Sequence, residues 1–365
     1  MKRVGGRRGL AKREEILIIG SGLAGMSAGR FLNASGYQVT ILDKGFRCGG
    51  RYATRRVDDF SFDHGTPYFK PSQIPGELKN VLSEPYLKSW PGDLSENTEA
   101  SIVSIPAMRS FPEALGRGLD IRQGVQVEKL SFRDDVFFAE TVDTSSKDMP
   151  TSDGFSGPFD AVLLTAPGPQ TADLIEGLLP IGSDLLQAAR KVTYTPQFSV
   201  LVGYDFLRDA PSIIHNPTSK IAKIVNQAKK PDRPEKSAFV VFCSPEWSLE
   251  NLDKPKGEVA EIILKDLENI LSEHGVVVDG LVLENILSEH GVAVDDWGKP
   301  AYLAAHSWRY CRLENPAGLS PETQIDATST LAVAGDWIML PDTHGALSSG
   351  INAARQIETK LSNRS

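Results

Sequence analysis

Gly20, Gly22 and Gly25 follow directly on four apolar residues, Ile16 to Ile19, and lead into a helical run. Glycines at that spacing after an apolar run are the pattern of a buried parallel strand turning sharply into a helix. In such a turn Gly20 permits the change of direction and Gly22 lets the backbone approach a pyrophosphate. Gly25 lets the helix lie close to the strand. The unpaired N–H groups at the helix start, at the positive end of its dipole, then favour phosphate. Asp43 closes a second apolar run 23 residues after Gly20, with Lys44 beside it. A carboxylate at that distance takes a ribose hydroxyl. The chemistry this spacing serves is dinucleotide binding.

A second set of residues extends the ligand. Gly49, Gly50 and Arg51 follow soon after Asp43, in a loop that also carries Arg47, Arg55 and Arg56. Arg51 is read as a partner for the pyrophosphate, and Arg55 and Arg56 as solvated loop cations. Near the other end, the short apolar strand from Leu331 ends in Gly335-Asp336. Gly345, Ala346 and Leu347 then open a helix rich in small residues, a second helix N-terminus that can face electron-rich atoms. Alone, Gly335-Asp336 is equally an ordinary strand-to-turn signal. Together the two ends bracket one long ligand, which fits FAD better than a nicotinamide dinucleotide. Adenosine would lie on the N-terminal glycines and ribitol near Asp336. The Gly345 helix would point its positive end at the isoalloxazine pyrimidine ring, favouring negative charge on reduced flavin.

These residues need a scaffold, and the pattern supplies one. The expected class is α/β: a Rossmann-like FAD-binding domain plus a discontinuous substrate domain with a mostly antiparallel sheet. The first would comprise residues 14–70, 105–170 and 320–365, and the second 71–104 and 171–319. Helices are expected at 112–119, 170–190 and 257–274. Strands are expected at 125–130, 159–165, 196–204, 237–243 and 301–309, with a hairpin or surface loop over 141–158. Residues 267–279 recur as 283–295, with Ala293 in place of Val277. Two copies are too few for a solenoid. One copy is expected to complete a helix and the other to be a surface excursion.

Composition narrows the function. A chain of 365 residues exceeds what one core usually serves. Its net charge of −8 argues against a nucleic-acid partner. No apolar run is long enough to span a membrane. The first thirteen residues hold six Lys or Arg and no acid, and read as a solvated, disordered tail. Cys48, Cys243 and Cys311 are too few for a disulfide framework, which suggests a reducing, cytoplasmic location. The six histidines show no metal spacing, so no metal is expected.

At this point the sequence resembles a family. Gly49 to Arg56, Phe62-Asp-His-Gly-Thr-Pro-Tyr-Phe69, His306-Ser-Trp-Arg-Tyr310 and Ala334-Gly-Asp-Trp337 look like the renalase-type flavoproteins, relatives of the monoamine oxidases. The likeness covers 14–70 and 300–358 and is thin between. It implies non-covalent FAD in a two-domain fold with a mixed sheet over the flavin. It also implies oxidation of mis-reduced NAD(P)H isomers to NAD(P)+, with electrons passing to oxygen to give hydrogen peroxide. By the resemblance, Gly20, Gly22, Gly25, Asp43, Gly50, Arg51, Val127 and Asp336 contact FAD. His64 and Gly65 lie near the isoalloxazine, and Trp308, Arg309 and Tyr310 line or brace the substrate side. Two positions depart from the family pattern. Pro67 stands where glutamine is usual, and His344 where glutamate is frequent. The C-terminal motif also lacks the cysteine that carries covalent flavin in monoamine oxidases.

The expected partner is a small-molecule substrate, with a nicotinamide nucleotide as one candidate. A hydride would pass from substrate carbon to flavin N5, a step that needs orientation and dryness more than strong acid or base. Arg309 is either an attractor for an anionic substrate or a domain-junction ion pair. Trp308 and Tyr310 alternate with it on a strand and so share the opposite face, as a slot for a flat substrate or as core. His64 either tunes the flavin or proton transfer, or shapes a turn. An amine oxidase and a non-catalytic FAD or NAD binder are the alternatives.

Overall fold

The computed structural model describes residues 13–79, 86–90, 100–144, 154–273 and 297–364. Residues 1–12 of the basic tail, the end of the first repeat copy from 274 and the whole second copy, 283–295, lie outside them.

The first strand, β1 (Glu15–Ile19), leads into α1 (Leu23–Ala34) and then β2 (Gln38–Asp43). A hairpin follows, β3 (Thr54–Val57) and β4 (Phe60–Asp63), then the short pair β5 (Leu87–Ser89) and β6 (Ile102–Ser104). Next come α2 (Ser110–Leu115), β7 (Asp120–Gln123) and a three-stranded antiparallel sheet of β8 (Val125–Arg133), β9 (Val136–Asp143) and β10 (Gly154–Phe159). Of the hairpin or surface loop expected over 141–158, the structure has the hairpin, with β10 antiparallel to β9. β11 (Ala161–Leu164), α3 (Gly168–Ile175) and α4 (Asp184–Lys191) complete the first half.

The second sheet takes β12 (Thr193–Gly203), β13 (Ile213–His215), β14 (Ile221–Asn226) and β15 (Ala238–Cys243). After α5 (Pro245–Glu250) and α6 (Lys256–Glu273), its last strand is β16 (Tyr302–Asn315). The chain then returns to the first sheet with β17 (Leu331–Val333) and α7 (Thr343–Ser362).

The first sheet is parallel, in the order β17-β11-β1-β2-β7. Ile16, Leu17 and Ile18 and the whole of β11 and β17 are fully buried, as expected of strands covered on both faces. The chain winds one way from β1 to β2 and the other way to β11. That reversal leaves a crevice at the carboxyl ends of β1 and β11, where ligands enter sheets of this kind. α7 closes the fold by lying across α1. A Cβ on Gly350 would sit 2.2 Å from the Ala24 carbonyl oxygen, so only glycine allows the two helices to meet so closely. Ser27 on α1 donates to Leu347 O on α7 at 2.9 Å.

The second sheet is antiparallel, in the order β13-β14-β15-β12-β16. Alternation along β12 and β15 sends Val200, Val202, Phe239 and Val241 toward Val259, Ile263 and Leu267 of α6. Leu201, Val240 and Phe242 point the other way, into one core with Phe60, Phe62 and Trp90. The sheet therefore has a helix on one side and the β4 hairpin on the other.

The first repeat copy begins inside α6, where Leu267, Ile270 and Leu271 are buried. Leu283 to Glu289 repeats Leu267 to Glu273 without change. Deleting residues 267–282 therefore restores the same helical sequence after Asp266. The shortened protein should melt within about 2 °C of the full chain and hold the same flavin absorbance per mole, because identical residues refill the buried positions of Leu267, Ile270 and Leu271. Loss of both in the purified deletion protein would refute the surface reading of the duplicate.

Candidate active site

The glycine turn is held by contacts that leave no room for side chains. Gly20 has φ +107°, and a Cβ there would meet Thr165 Oγ1 at 2.6 Å. A Cβ on Gly25 would lie 2.0 Å from Gly20 O. Gly22 differs: nothing lies within 4 Å of its Cβ position, and as the N-cap of α1 it carries no side-chain cap. No side chain caps the first amides of α1. Asp43 at the end of β2 accepts from the Ser21 amide and hydroxyl, both at 2.6 Å, and from Gly45 N at 2.7 Å. Gly50, with φ +53°, sits against Gly22, and Val127 is buried with Leu17 and Leu42 beneath this end of the sheet. Lys44 gives its carbonyl to Thr144 at 3.0 Å.

The two chain ends meet at Arg51. Its Nη2 donates to Asp336 Oδ1 at 2.5 Å across 285 residues of sequence, and Nη1 donates to Cys311 O at 3.1 Å. Asp336 is buried. Burial opposes the charge on Arg51, but the Asp336 carboxylate more than offsets it and holds the guanidinium above its ordinary pKa. The turn at His64 is tied to the same residue: Thr66 N donates to Arg51 O at 2.7 Å. A Cβ on Gly65 would be 1.9 Å from that oxygen.

Three rings gather over this turn. The His64 ring stacks on Trp308 at 5.3 Å between centroids, and His306 meets both edge-on, at 4.8 Å from His64 and 4.4 Å from Trp308. Trp308 Nε1 donates to His64 O at 2.8 Å, which fixes the indole. Burial, then His306 and Arg55, pushes the His64 pKa down to about 3. Burial, then Lys256 and Arg55, pushes His306 down to about 4. Both imidazoles are neutral at neutral pH. His64 Nδ1 is buried with no hydrogen-bond partner. Tyr310 stands further along β16, edge-on to Tyr194 at 5.4 Å. Arg309 is exposed, on the strand face away from Trp308. Arg55 instead acts on both ring imidazoles, and its Nη1 donates to Tyr302 Oη at 3.2 Å. The reading of Arg55 as a solvated loop cation is thereby corrected.

Beneath the turn lies a charged cluster with no exposure. Asp63 accepts from Lys230 Nζ at 2.9 Å and Arg233 Nη2 at 2.7 Å, and all three side chains are 0% exposed. Thr54 Oγ1 and Met108 N complete the carboxylate shell at 2.7 and 3.0 Å. Burial alone would raise the Asp63 pKa, but Lys230, Arg233 and these hydrogen bonds hold it well below the usual carboxylate range. Lys230, pulled down to about 8 by burial, also donates to Pro67 O at 2.8 Å. At the start of α7, Asp342 caps Gly345 N at 2.7 Å and Ala346 N bonds back to Asp342 O at 3.1 Å. Leu347 is fully buried in the core. The helix opens two residues before Gly345, at Thr343, so Gly345 lies within its first turn and Leu347 beyond it.

A family model for flavin-containing amine oxidoreductases matches residues 78–358, after a model for NAD(P)-binding Rossmann-like domains over residues 18–85. The chain belongs to the flavin-containing amine oxidoreductase family. Among curated relatives, it is 32% identical over 85 residues to a 4,4'-diapophytoene desaturase of Methylomonas sp, covering 22% of this chain and 17% of that protein. It is 32% identical over 83 residues to an L-amino-acid oxidase of Sistrurus catenatus edwardsii, covering 23% and 15%. The similarity thus spans less than a fifth of either relative. The fold is shared with a protein from Exiguobacterium sp. 255-15 described as a protoporphyrinogen oxidase. That match has a TM-score of 0.71 and 13% identity, over 96% of this chain and 100% of the other. An A394C mutant of putrescine oxidase gives a TM-score of 0.66 at 12% identity, over 95% and 99%.

FAD is the cofactor of this family, and the residues present fit it. The uncapped α1 amides and the open space at Gly22 suit a pyrophosphate, and Asp43 stands where a ribose edge would come. His306, Asp63 with its two cations, and Thr165 were given no role by sequence reasoning. The two-residue step from His306 to Trp308 on one strand was a signal that could have placed His306 on the same face.

Two outcomes follow. Both imidazoles are neutral in the fold, while the unfolded chain takes up protons below about 6.5. Folded pKa values below the unfolded ones mean that this stability is fully present above pH 6.5 and is lost as pH falls toward 4. Between pH 7.5 and 5.0, urea unfolding should reveal a loss of about 2 kcal/mol from His64 alone, and His306→Gln should flatten the slope. Asp63→Asn leaves two buried cations unpaired and should cost about 3–5 kcal/mol in the same assay at pH 7.5.

Proposed function

We propose that this protein is an FAD-dependent oxidoreductase of the renalase type. On this reading it takes a hydride from a flat, neutral or anionic donor such as a dihydronicotinamide isomer and passes the electrons to oxygen. Residues 14–70, 105–170 and 320–365 would hold the cofactor, and 71–104 and 171–319 the substrate. The observation that carries this reading is the charge around the rings of His64, His306 and Trp308. Arg55 and Lys256 lower the pKa values of these imidazoles, with Arg109, itself paired to Glu113, adding to the effect at His64, where Asp63 opposes them. Asp63 is already compensated by Lys230 and Arg233. A protonated amine entering this slot meets net positive charge in a poorly solvated place, where like charges repel strongly. A planar donor without positive charge meets aromatic faces instead.

FAD, when bound, supplies the two-electron acceptor. The chain's own residues orient and dry the donor. Trp308, locked by its bond to His64 O, offers a fixed face, and His64 Nδ1 offers a buried, unpartnered nitrogen to a polar substituent of the donor. With both histidines neutral, neither stores a proton to give up at neutral pH. This agrees with a hydride step that demands alignment and not a strong base.

The test is anaerobic stopped-flow with the purified flavoprotein. Dihydronicotinamide isomers should bleach the oxidised flavin within seconds, and His306→Asp should slow that bleaching at least tenfold by placing a negative charge against the rings. Faster bleaching by primary amines than by dihydronicotinamides would overturn the reading in favour of an amine oxidase. No bleaching by either donor would favour a non-catalytic flavin binder.

A further inference from the structure

β2 and β7 run side by side, and their parallel register pairs Asp43 with Gln123. Both residues therefore stand at the carboxyl end of the sheet, where nucleotides enter such folds. Asp43 is already largely occupied. Its Oδ2 accepts twice, from Ser21 N and Ser21 Oγ, and its Oδ1 accepts once, from Gly45 N. A carboxylate offers about four lone-pair sites, so one remains, on Oδ1. The edge of a ribose presents two hydroxyls.

Gln123 holds the missing acceptor. Its Nε2 donates to Ser21 Oγ at 3.2 Å. That hydroxyl spends its own proton on Asp43, so it accepts from the amide nitrogen, and the orientation of the amide follows. The amide oxygen, Oε1, is left buried without any hydrogen-bond partner. A buried carbonyl without a partner costs free energy that a ligand hydroxyl would recover.

We propose that Gln123 is a nucleotide-binding residue: its Oε1 accepts one hydroxyl of the adenosine ribose while the free site on Asp43 accepts the other. This rests on FAD being held at the N-terminal glycine motif. Two acceptors side by side also exclude a phosphate from that edge, so the site selects the unmodified ribose over its 2'-phosphate.

The experiment uses the full-length protein stripped of flavin and titrated calorimetrically with ADP, 2'-deoxy-ADP and 3'-deoxy-ADP. In the wild type, loss of either hydroxyl should weaken binding on the order of tenfold. Gln123→Met removes the acceptor at similar volume. It should weaken ADP by a similar factor and abolish one of the two deoxy penalties. Two unchanged penalties in Gln123→Met, or a wild type indifferent to one hydroxyl, would overturn the assignment while leaving FAD binding intact. A wild type that binds neither ADP nor FAD would overturn the cofactor placement as well. Gln123→Glu, which keeps an acceptor at the position, should retain both penalties and so serves if the Met variant does not fold.

Discussion

A single carboxylate, Asp63, anchors the working part of this molecule. It ends β4, immediately before His64, and draws Lys230 and Arg233 out of the second sheet's loop into a place that water does not reach. One anion facing two cations leaves an excess positive charge in a medium that screens it poorly. Thr54 and Met108 donate to the carboxylate, and the Ser104 and Pro67 carbonyls accept from Arg233 and Lys230. Such a cluster is a poor source of net stability, yet removing one member of it is costly. Its effect is to fix where the β3–β4 hairpin meets the antiparallel sheet, and so where His64 meets Trp308.

From that anchor the rest of the site follows by short links. The turn after Asp63 is pressed onto the backbone of Arg51 by Gly65 and Thr66. The side chain of Arg51 reaches Asp336 and Cys311, which joins the end of β17 to the middle of β16. The parallel sheet thus carries the glycine turn, the antiparallel sheet carries the rings of His306 and Trp308, and one arginine touches both. No large structural change is needed to make the two regions act on one ligand.

Much of this could be read from residue order, for definable reasons. β1, β11 and β17 are buried on both faces and so appear as unbroken apolar runs. The glycines at 20, 22 and 25 mark backbone contacts that any Cβ would break or that face open space. Antiparallel strands such as β12 and β15 alternate. Other features leave no such trace. β7, Asp-Ile-Arg-Gln, is four residues with no period to detect, and Gln123 gains meaning only from its register with Asp43. Lys230 and Arg233 sit in the run Lys229-Lys230-Pro231-Asp232-Arg233, whose composition is that of a solvated loop. Their burial depends on a partner more than 160 residues earlier. Arg55 was read as solvated for the same reason, since its neighbour Tyr302 is 247 residues away. Long-range charge pairing has no local periodicity and is set only when the sheets dock.

The position of β17 and α7 bears on how the protein is made. Both come from the final stretch of the chain, yet α7 covers α1 and Asp336 neutralises Arg51. A polypeptide emerging from the ribosome presents the glycine turn first and its cover last. Throughout that interval Gly350 has not yet met Ala24, and the face of α1 against which α7 lies is open to water. Contacts closing loops of roughly 300 residues are also the slowest to form. The glycine turn and the helix that covers it therefore come together only after both sheets have been made.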